Sequence, residues 1–197
     1  SAQEIELAGV KTLALRINYV GELGWELHPR MADLETLYAA VWAAGEAHGI
    51  ANFGLYALNS LRMEKAYRGW GAELTNEVTM LEADMARFFN GKKGDFIGKS
   101  ATEAGDTGAL QLVYFSVDAI NADVRGGEPI FVGDDCVGVT TSGGYGHAVE
   151  QSLGFGYVPP AQAVPGSVLE VGLLDARCQA TVLTDPAYDP ANQRLMS

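Results

Sequence analysis

Leu13, Leu15 and Ile17 alternate with Ala14, Arg16 and Asn18, and after a glycine-bounded turn over residues 21–24 the run Trp25-Glu26-Leu27 resumes an extended pattern. Alternation sends successive side chains to opposite faces, so residues 12–28 predict a β-hairpin. From Asp33 to about His48 the spacing changes: Leu34, Leu37, Tyr38, Val41 and Trp42 recur at i, i+3, i+4, i+7 and i+8, a helical stripe stopped by Gly49. A short apolar run over 50–53 follows. A second helix is predicted over 55–66, with Leu55, Leu58, Leu61 and Met63 inward and Arg62 and Lys65 beside or opposite them. Residues 67–79 are polar and broken by glycines, reading as strand and loop. The pattern over 81–89 fits a short helix or a strand equally well.

The texture shifts after Lys99. Residues 103–108, Glu-Ala-Gly-Asp-Thr-Gly, have the breaker chemistry of a boundary. Beyond them short β-rich runs recur at 110–117, 128–132, 136–141, 153–158, 168–173 and 177–183, with turn signals at Gly126-Gly127, Gly133-Asp134-Asp135 and Pro165-Gly166. Such a series predicts a small antiparallel barrel or sandwich. The expected organisation is an α+β unit over residues 1–102 followed by an all-β unit over 103–197, without an internal repeat.

Composition narrows the function classes. With 48% hydrophobic and 19% charged residues, the chain has too much apolar material for a disordered protein. Its net charge of −12 repels phosphate backbones and anionic bilayers, so neither nucleic acid nor a membrane surface is expected as a partner. No apolar run reaches the roughly 18 residues of a membrane span. The start, Ser1-Ala2-Gln3-Glu4, lacks the basic and apolar regions of a secretory signal, which points to a cytoplasmic setting. The absence of an initiating Met and the early strand are what a piece of a longer protein would show. Cys136 and Cys178 have no metal-ligand spacing and read as small apolar core residues.

Glycine-rich fingerprints for dinucleotides or for a P-loop are missing, so the chain is not expected to hold FAD or NAD by itself. His28, His48 and His147 are too scattered for a metal site. A serine nucleophile at Ser142 with His147 has no nucleophile-elbow sequence behind it. Two segments are more specific. In Tyr19-Val20-Gly21-Glu22-Leu23-Gly24-Trp25-Glu26 the glycines tighten a turn and deliver Glu26 from the returning strand. In Asn59-Ser60-Leu61-Arg62-Met63-Glu64-Lys65-Ala66-Tyr67-Arg68-Gly69-Trp70-Gly71 an Arg on the inner side of a helix is followed by aromatic rings. From residue types alone, Glu22 and Glu64 read as solvated or paired with a neighbouring Lys or Arg, Glu26 as a surface carboxylate at a strand edge or a ligand group, and Arg62 as a structural guanidinium or a ligand donor.

Tyr-x-Gly-Glu-x-Gly-x-Glu in residues 19–26, Ser-Leu-Arg-x-Glu in 60–64 and Phe-Ile-Gly-Lys in 96–99 resemble the folate-binding aminomethyltransferase family, whose best-known member is the glycine cleavage T-protein. The runs at 64–71 and 141–147 are similar to the carboxy-terminal part of sarcosine and dimethylglycine dehydrogenases, and Gly154-Phe155-Gly156-Tyr157-Val158-Pro159 resembles the strand that follows in both groups. The resemblance covers about residues 12–185. It implies the second ferredoxin-like half of a folate fold followed by a small antiparallel β-barrel, with the half that carries the catalytic aspartate missing.

By the same resemblance, Glu26 would accept paired hydrogen bonds from the pterin edge of tetrahydrofolate, Tyr19 would lie against its pterin or aminobenzoyl portion, and Arg62 would donate to a folate oxygen or carboxylate. A carboxylate offers two acceptor oxygens to the side-by-side amino group and ring N–H of a pterin. No catalytic residue and no metal is assigned to this chain. The implied chemistry is capture of a methylene group, from an iminium formed by oxidising an N-methyl amine, on tetrahydrofolate. FAD would belong only to an upstream domain of the parent, and this piece alone would be catalytically silent. A surface left bare by the missing half could pair copies into a homo-oligomer. Met80 stands where relatives commonly carry proline and touches no proposed ligand group, and Trp25 replaces a smaller apolar residue frequent in the T-protein but is familiar among the dehydrogenase relatives. A stand-alone T-protein-like aminomethyltransferase is the alternative enzyme. A non-catalytic folate-binding accessory protein is disfavoured because Lys65-Ala66-Tyr67-Arg68-Gly69 lacks the cysteine of that group.

Overall fold

The computed structural model describes residues 1–105 and 108–196. Strands β1 (Ala2–Leu7), β2 (Val10–Leu15) and β3 (Glu26–Pro29) form an antiparallel sheet in that order. The expected hairpin is β2 with β3, and Leu15 stands opposite Glu26. Alternation along β2 buries Val10, Thr12 and Ala14 on one face and leaves Lys11 and Leu13 on the open one.

Helix α1 (Leu34–Gly45) continues as a 3-10 turn over Glu46–His48 and stops at Gly49, whose φ of +73° a side chain would disfavour. Of its apolar stripe only Leu37 is buried; Leu34, Tyr38 and Val41 are exposed. Helix α2 (Leu55–Glu64) ends two residues before the sequence pattern does, and Ala66 turns the chain at φ +53°. Its inner face departs from expectation. Leu55 is 82% exposed, whereas Arg62, Met63 and Glu64 are buried. Helical spacing tells which side is apolar, but here the barrel covers the C-terminal turns, which Met63 anchors.

Residues 67–79 form loop rather than strand, with one isolated bridge between Trp70 and Leu74. The ambiguous run 81–89 is neither strand nor α-helix but turns leading into a 3-10 turn at Ala86–Phe88. Helix α3 (Lys99–Glu103) leads into the breaker segment, of which residues 106 and 107 lie outside the described residues.

The second part is a closed six-stranded antiparallel barrel. Its strands are β4 (Gln111–Val117), β5 (Pro129–Val132), β6 (Asp135–Gly146), β7 (Gln151–Val158), β8 (Val168–Leu173) and β9 (Ala176–Val182), closed in the order β4-β7-β6-β5-β8-β9. Phe115, Val124, Ile130, Val158, Leu169 and Val171 fill its interior. Strand β7 is buried on both faces because Met63 and Ala66 pack with Leu153, Phe155 and Tyr157 from outside the interior cluster. Of the two cysteines, Cys178 packs on the barrel core but Cys136 is exposed, next to the tight turn that opens β6, so the core reading fails for Cys136.

From β9 the chain returns to the first part. The Tyr188 N–H donates to Glu64 O at 2.9 Å, the Tyr188 hydroxyl donates to Glu22 Oε1 at 2.5 Å, and the buried Lys65 ammonium donates to Asp189 O at 2.7 Å and Asn192 Oδ1 at 2.8 Å. The Asp189 carboxylate accepts the Gln193 and Arg194 N–H groups and caps α4 (Gln193–Met196). No helix among the described residues is long and apolar enough to cross a membrane.

Candidate functional site

The connection between β2 and β3, residues 16–25, is built against Lys65. The Asn18 side-chain oxygen accepts the Gly21 N–H at 2.9 Å. Gly21 has φ +81°, and a Cβ there would stand 2.3 Å from Lys65 Cγ, so both conformation and space demand glycine. This folding presents Tyr19. Its hydroxyl donates to Arg68 O at 2.8 Å, and its ring stacks on Tyr67 with centroids 6.0 Å apart. Burial pushes the Tyr19 phenol above its ordinary value, against the pull of the Arg62 guanidinium. One face of the ring is thereby held by Tyr67 in a part-open position.

Glu26 opens β3, an edge strand, and lies across from Leu15. Its side chain is 52% exposed, and one oxygen, Oε2, is 3.1 Å from His28 Nε2. The other oxygen has no hydrogen-bond or ion-pair partner among the described residues. No hydrogen bond joins Glu26 to Tyr19 or Arg62. The three residues singled out from the sequence therefore sit differently: Tyr19 borders the buried cluster around Arg62, and Glu26 stands apart on the open sheet.

Arg62 is interior, its side chain 6% exposed. Its Nε and Nη2 donate to Asn59 Oδ1 at 3.0 and 2.8 Å, and Nη1 donates to Tyr67 O and to Glu73 Oε2, both at 3.1 Å. With five N–H groups on a guanidinium, one Nη2 hydrogen is left for a ligand. Glu73, absent from the sequence-derived set, is the centre of this cluster. Its Oε2 also accepts the Gly69 N–H at 2.7 Å, and its Oε1 accepts Thr141 at 2.6 Å and Ser142 at 2.5 Å. Adjacent β6 residues reach one oxygen because a bulge between Thr140 and Ser142 breaks the alternation. Tyr157 donates its hydroxyl to the Glu73 carbonyl at 2.8 Å. The signal for Glu73 was a requirement: an arginine on the inner face of a helix needs a carboxylate partner.

Other readings are corrected here. Ser142 is a donor to Glu73, and His147 instead meets the Tyr145 ring edge-on at 5.1 Å. Glu64 is buried and accepts the Ala148 N–H at 2.6 Å, so it is neither solvated nor paired with a cation. Glu22 is exposed and accepts from Tyr188. Trp70 is 83% exposed. The arrangement thus offers a part-open phenol ring and an uncovered indole, and, apart from them on the sheet, a carboxylate with one acceptor oxygen free, groups that can respectively stack on a flat ring and accept N–H donors.

Comparison with known proteins places this geometry. The model of the GCVT N-terminal domain matches residues 1–93, and that of the glycine cleavage T-protein C-terminal barrel domain matches residues 111–189. The chain is 40% identical over 198 residues to the mitochondrial dimethylglycine dehydrogenase of Mus musculus, covering 98% of this chain and 23% of that protein. It is 33% identical to the mitochondrial sarcosine dehydrogenase of Homo sapiens, over 97% of this chain and 22% of that one. It is 32% identical to an aminomethyltransferase of Listeria welshimeri, over 96% of this chain and 52% of that one. The crystal structure of the glycine cleavage system aminomethyltransferase T from Bartonella henselae matches at a TM-score of 0.82 and 25% identity, covering 91% of this chain and 50% of that one. The chain spans about half the length of the aminomethyltransferases and less than a quarter of the dehydrogenases.

Proposed function

Because this chain belongs to the glycine cleavage T-protein family, with its two domain types in order, we propose that it forms one wall of a site for tetrahydrofolate. The parent reaction in this reading is one-carbon transfer of the sarcosine or dimethylglycine dehydrogenase kind. Identity favours the dehydrogenases, at 40% for dimethylglycine dehydrogenase against 32% for an aminomethyltransferase. The stand-alone aminomethyltransferase is the second reading, supported by the likeness to the Bartonella henselae enzyme. A flavin-binding domain preceding this segment in the full protein would separate the two, since FAD belongs to the first reading only.

The residues present fit the pterin. Glu26 keeps an acceptor oxygen open on the sheet face, and a carboxylate can answer an exocyclic amino group and a ring N–H together. Tyr19, fixed by Tyr67 and the Arg68 carbonyl, offers a ring and no freedom to collapse onto it. Arg62 has a single N–H left for a ligand, so its main contribution is to hold the loop that carries Tyr67 and Trp70. Tetrahydrofolate, when bound, captures a methylene carbon from an N-methyl amine already oxidised to an iminium. This chain's part is to position that acceptor, a proximity effect that needs no covalent bond to the protein. In this reading the base that assists the capture comes from outside this chain, and the chain alone is expected to be inactive.

The observation that carries the reading is the Glu26 carboxylate with one oxygen unoccupied, at the far end of the connection that fixes Tyr19. Calorimetric titration of tetrahydrofolate into the full-length protein tests it. Glu26→Ala is expected to weaken binding by about 2–3 kcal/mol, a charge-assisted pair. Equal affinity in the variant removes Glu26 from the site.

A further inference from the structure

Strand β3 carries a histidine two positions after the carboxylate proposed for the pterin. Residues i and i+2 of a strand share a face, so Glu26 and His28 stand side by side on the open face of the sheet, across from Leu15 and Leu13 of β2. Glu26 Oε2 is 3.1 Å from His28 Nε2, and both side chains are half exposed. A carboxylate only accepts, so the imidazole is the donor in this contact, either as the Nε2–H tautomer or as the imidazolium. Without it, a glutamate at the end of an edge strand is free to rotate. With it, Oε2 is pinned and Oε1 is left as the open acceptor.

The surroundings single out His28 as the group that can change. In its row Leu13 separates it from Glu4 of β1, two strands away. Glu6 and Lys11, opposite one another on β1 and β2, and Arg30, just after β3, line the same hollow of about 480 Å³ beside His28. The row of Glu26 holds Leu15 and Ala2, which carry no charged side chain. Carboxylate, ammonium and guanidinium groups in water keep one charge between about pH 6 and 8, and an imidazole does not. A proton on His28 turns its hydrogen bond to Glu26 into an ion pair. The carboxylate charge is then shared with a cation, and less of it is left to strengthen hydrogen bonds from a neutral pterin edge.

We propose that His28 is a positioning residue for the pterin carboxylate: neutral, it orients Glu26 toward the ligand, and protonated, it competes with the ligand for it. The inference rests on the folate reading and adds to it a pH-dependence that Glu26 alone does not give.

The test is calorimetric titration of tetrahydrofolate into the full-length protein at about pH 8 and about pH 6, on the two sides of the imidazole titration, alongside His28→Gln, His28→Leu and Glu26→Ala. Wild-type affinity is expected to fall by about two- to fivefold on acidification, the range of an exposed ion pair. His28→Gln keeps an N–H donor and loses the charge switch, so its affinity should match the wild type at about pH 8 and exceed it at about pH 6. His28→Leu removes the donor and should bind about two- to threefold more weakly than the wild type at about pH 8. Titration of the ligand itself is common to all four proteins and cancels in the comparison. Identical pH profiles for the wild type and His28→Gln overturn the proposal, as does a His28→Leu variant that binds as tightly as the wild type at about pH 8. If Glu26→Ala itself binds as tightly as the wild type, the folate reading falls. If it binds weakly while the histidine variants follow the wild type, only the role of His28 falls.

Discussion

The barrel closes on its own core, whereas the three-stranded sheet and α1 leave much of their apolar surface uncovered. In the barrel, Phe115, Ile130, Val158 and Val171 are wholly buried, and every strand has a neighbour on each side. In the first part Leu13, Leu34, Tyr38, Val41 and Leu55 are exposed, and β1 and β3 are free edges. The same density of apolar residues does different work in the two. One set stabilises a fold; the other is left open, on a chain that spans about half the length of the aminomethyltransferases it matches.

The contrast can be broken most sharply inside the barrel. Phe115→Ala should cost about 3–5 kcal/mol in urea denaturation, as expected for a buried aromatic. Leu34→Ala, at an exposed position of α1, should stay within about 0.5 kcal/mol. Comparable losses at both sites would mean that α1 is covered in solution. The seam between the two regions comes next. Glu73→Ala leaves Arg62 buried without its carboxylate and should cost about 3–5 kcal/mol, with the sheet melting before the barrel in a two-step transition. A single transition shifted as a whole would show that the regions are joined mainly by the Met63 cluster.

The smallest effect lies in acid, at the carboxyl of Glu128, which directly precedes β5 and meets Thr140 of β6. Burial pushes it up, but the Thr140 hydroxyl and the Gly126 and Arg125 N–H groups outweigh that and hold it below its ordinary value. Its contribution is therefore complete above the unfolded value of 4.5 and fades as pH falls through the folded one. Glu128→Gln should flatten the stability profile below about pH 4.5 and leave its alkaline side unchanged. An unaltered acid limb would place the linkage on other carboxyls.

Much of this was legible in the residue order, and the failures share a cause. Strand β8 was read at its observed bounds because alternation and flanking turn residues are local properties. Closure of the sheet is not local, so barrel and sandwich stayed open from pattern alone. The stripe on α1 and the inward reading of Leu55 show the limit of periodicity: it identifies an apolar face without saying what lies against it. Glu73 escaped because its partners are the helix residue Arg62 and, nearly 70 positions on, Thr141 and Ser142, brought together only by packing and a bulge. Of the candidate site, the glycine-built turn and its Tyr19 and Glu26 were visible as a motif; the enclosure of Arg62 was not.

The last residues are a structural clasp. Asp189 and Asn192 supply the acceptors for the ammonium of Lys65, whose stem carries the turn at Gly21. Clipping the chain ahead of Tyr188 would strand a positive charge in the interior beneath the very bend that presents Tyr19. A tail that looks dispensable on the surface thus reaches, through one lysine, into the geometry of the face proposed for folate, and in that reading a cut there weakens ligand binding without touching a residue that contacts the ligand.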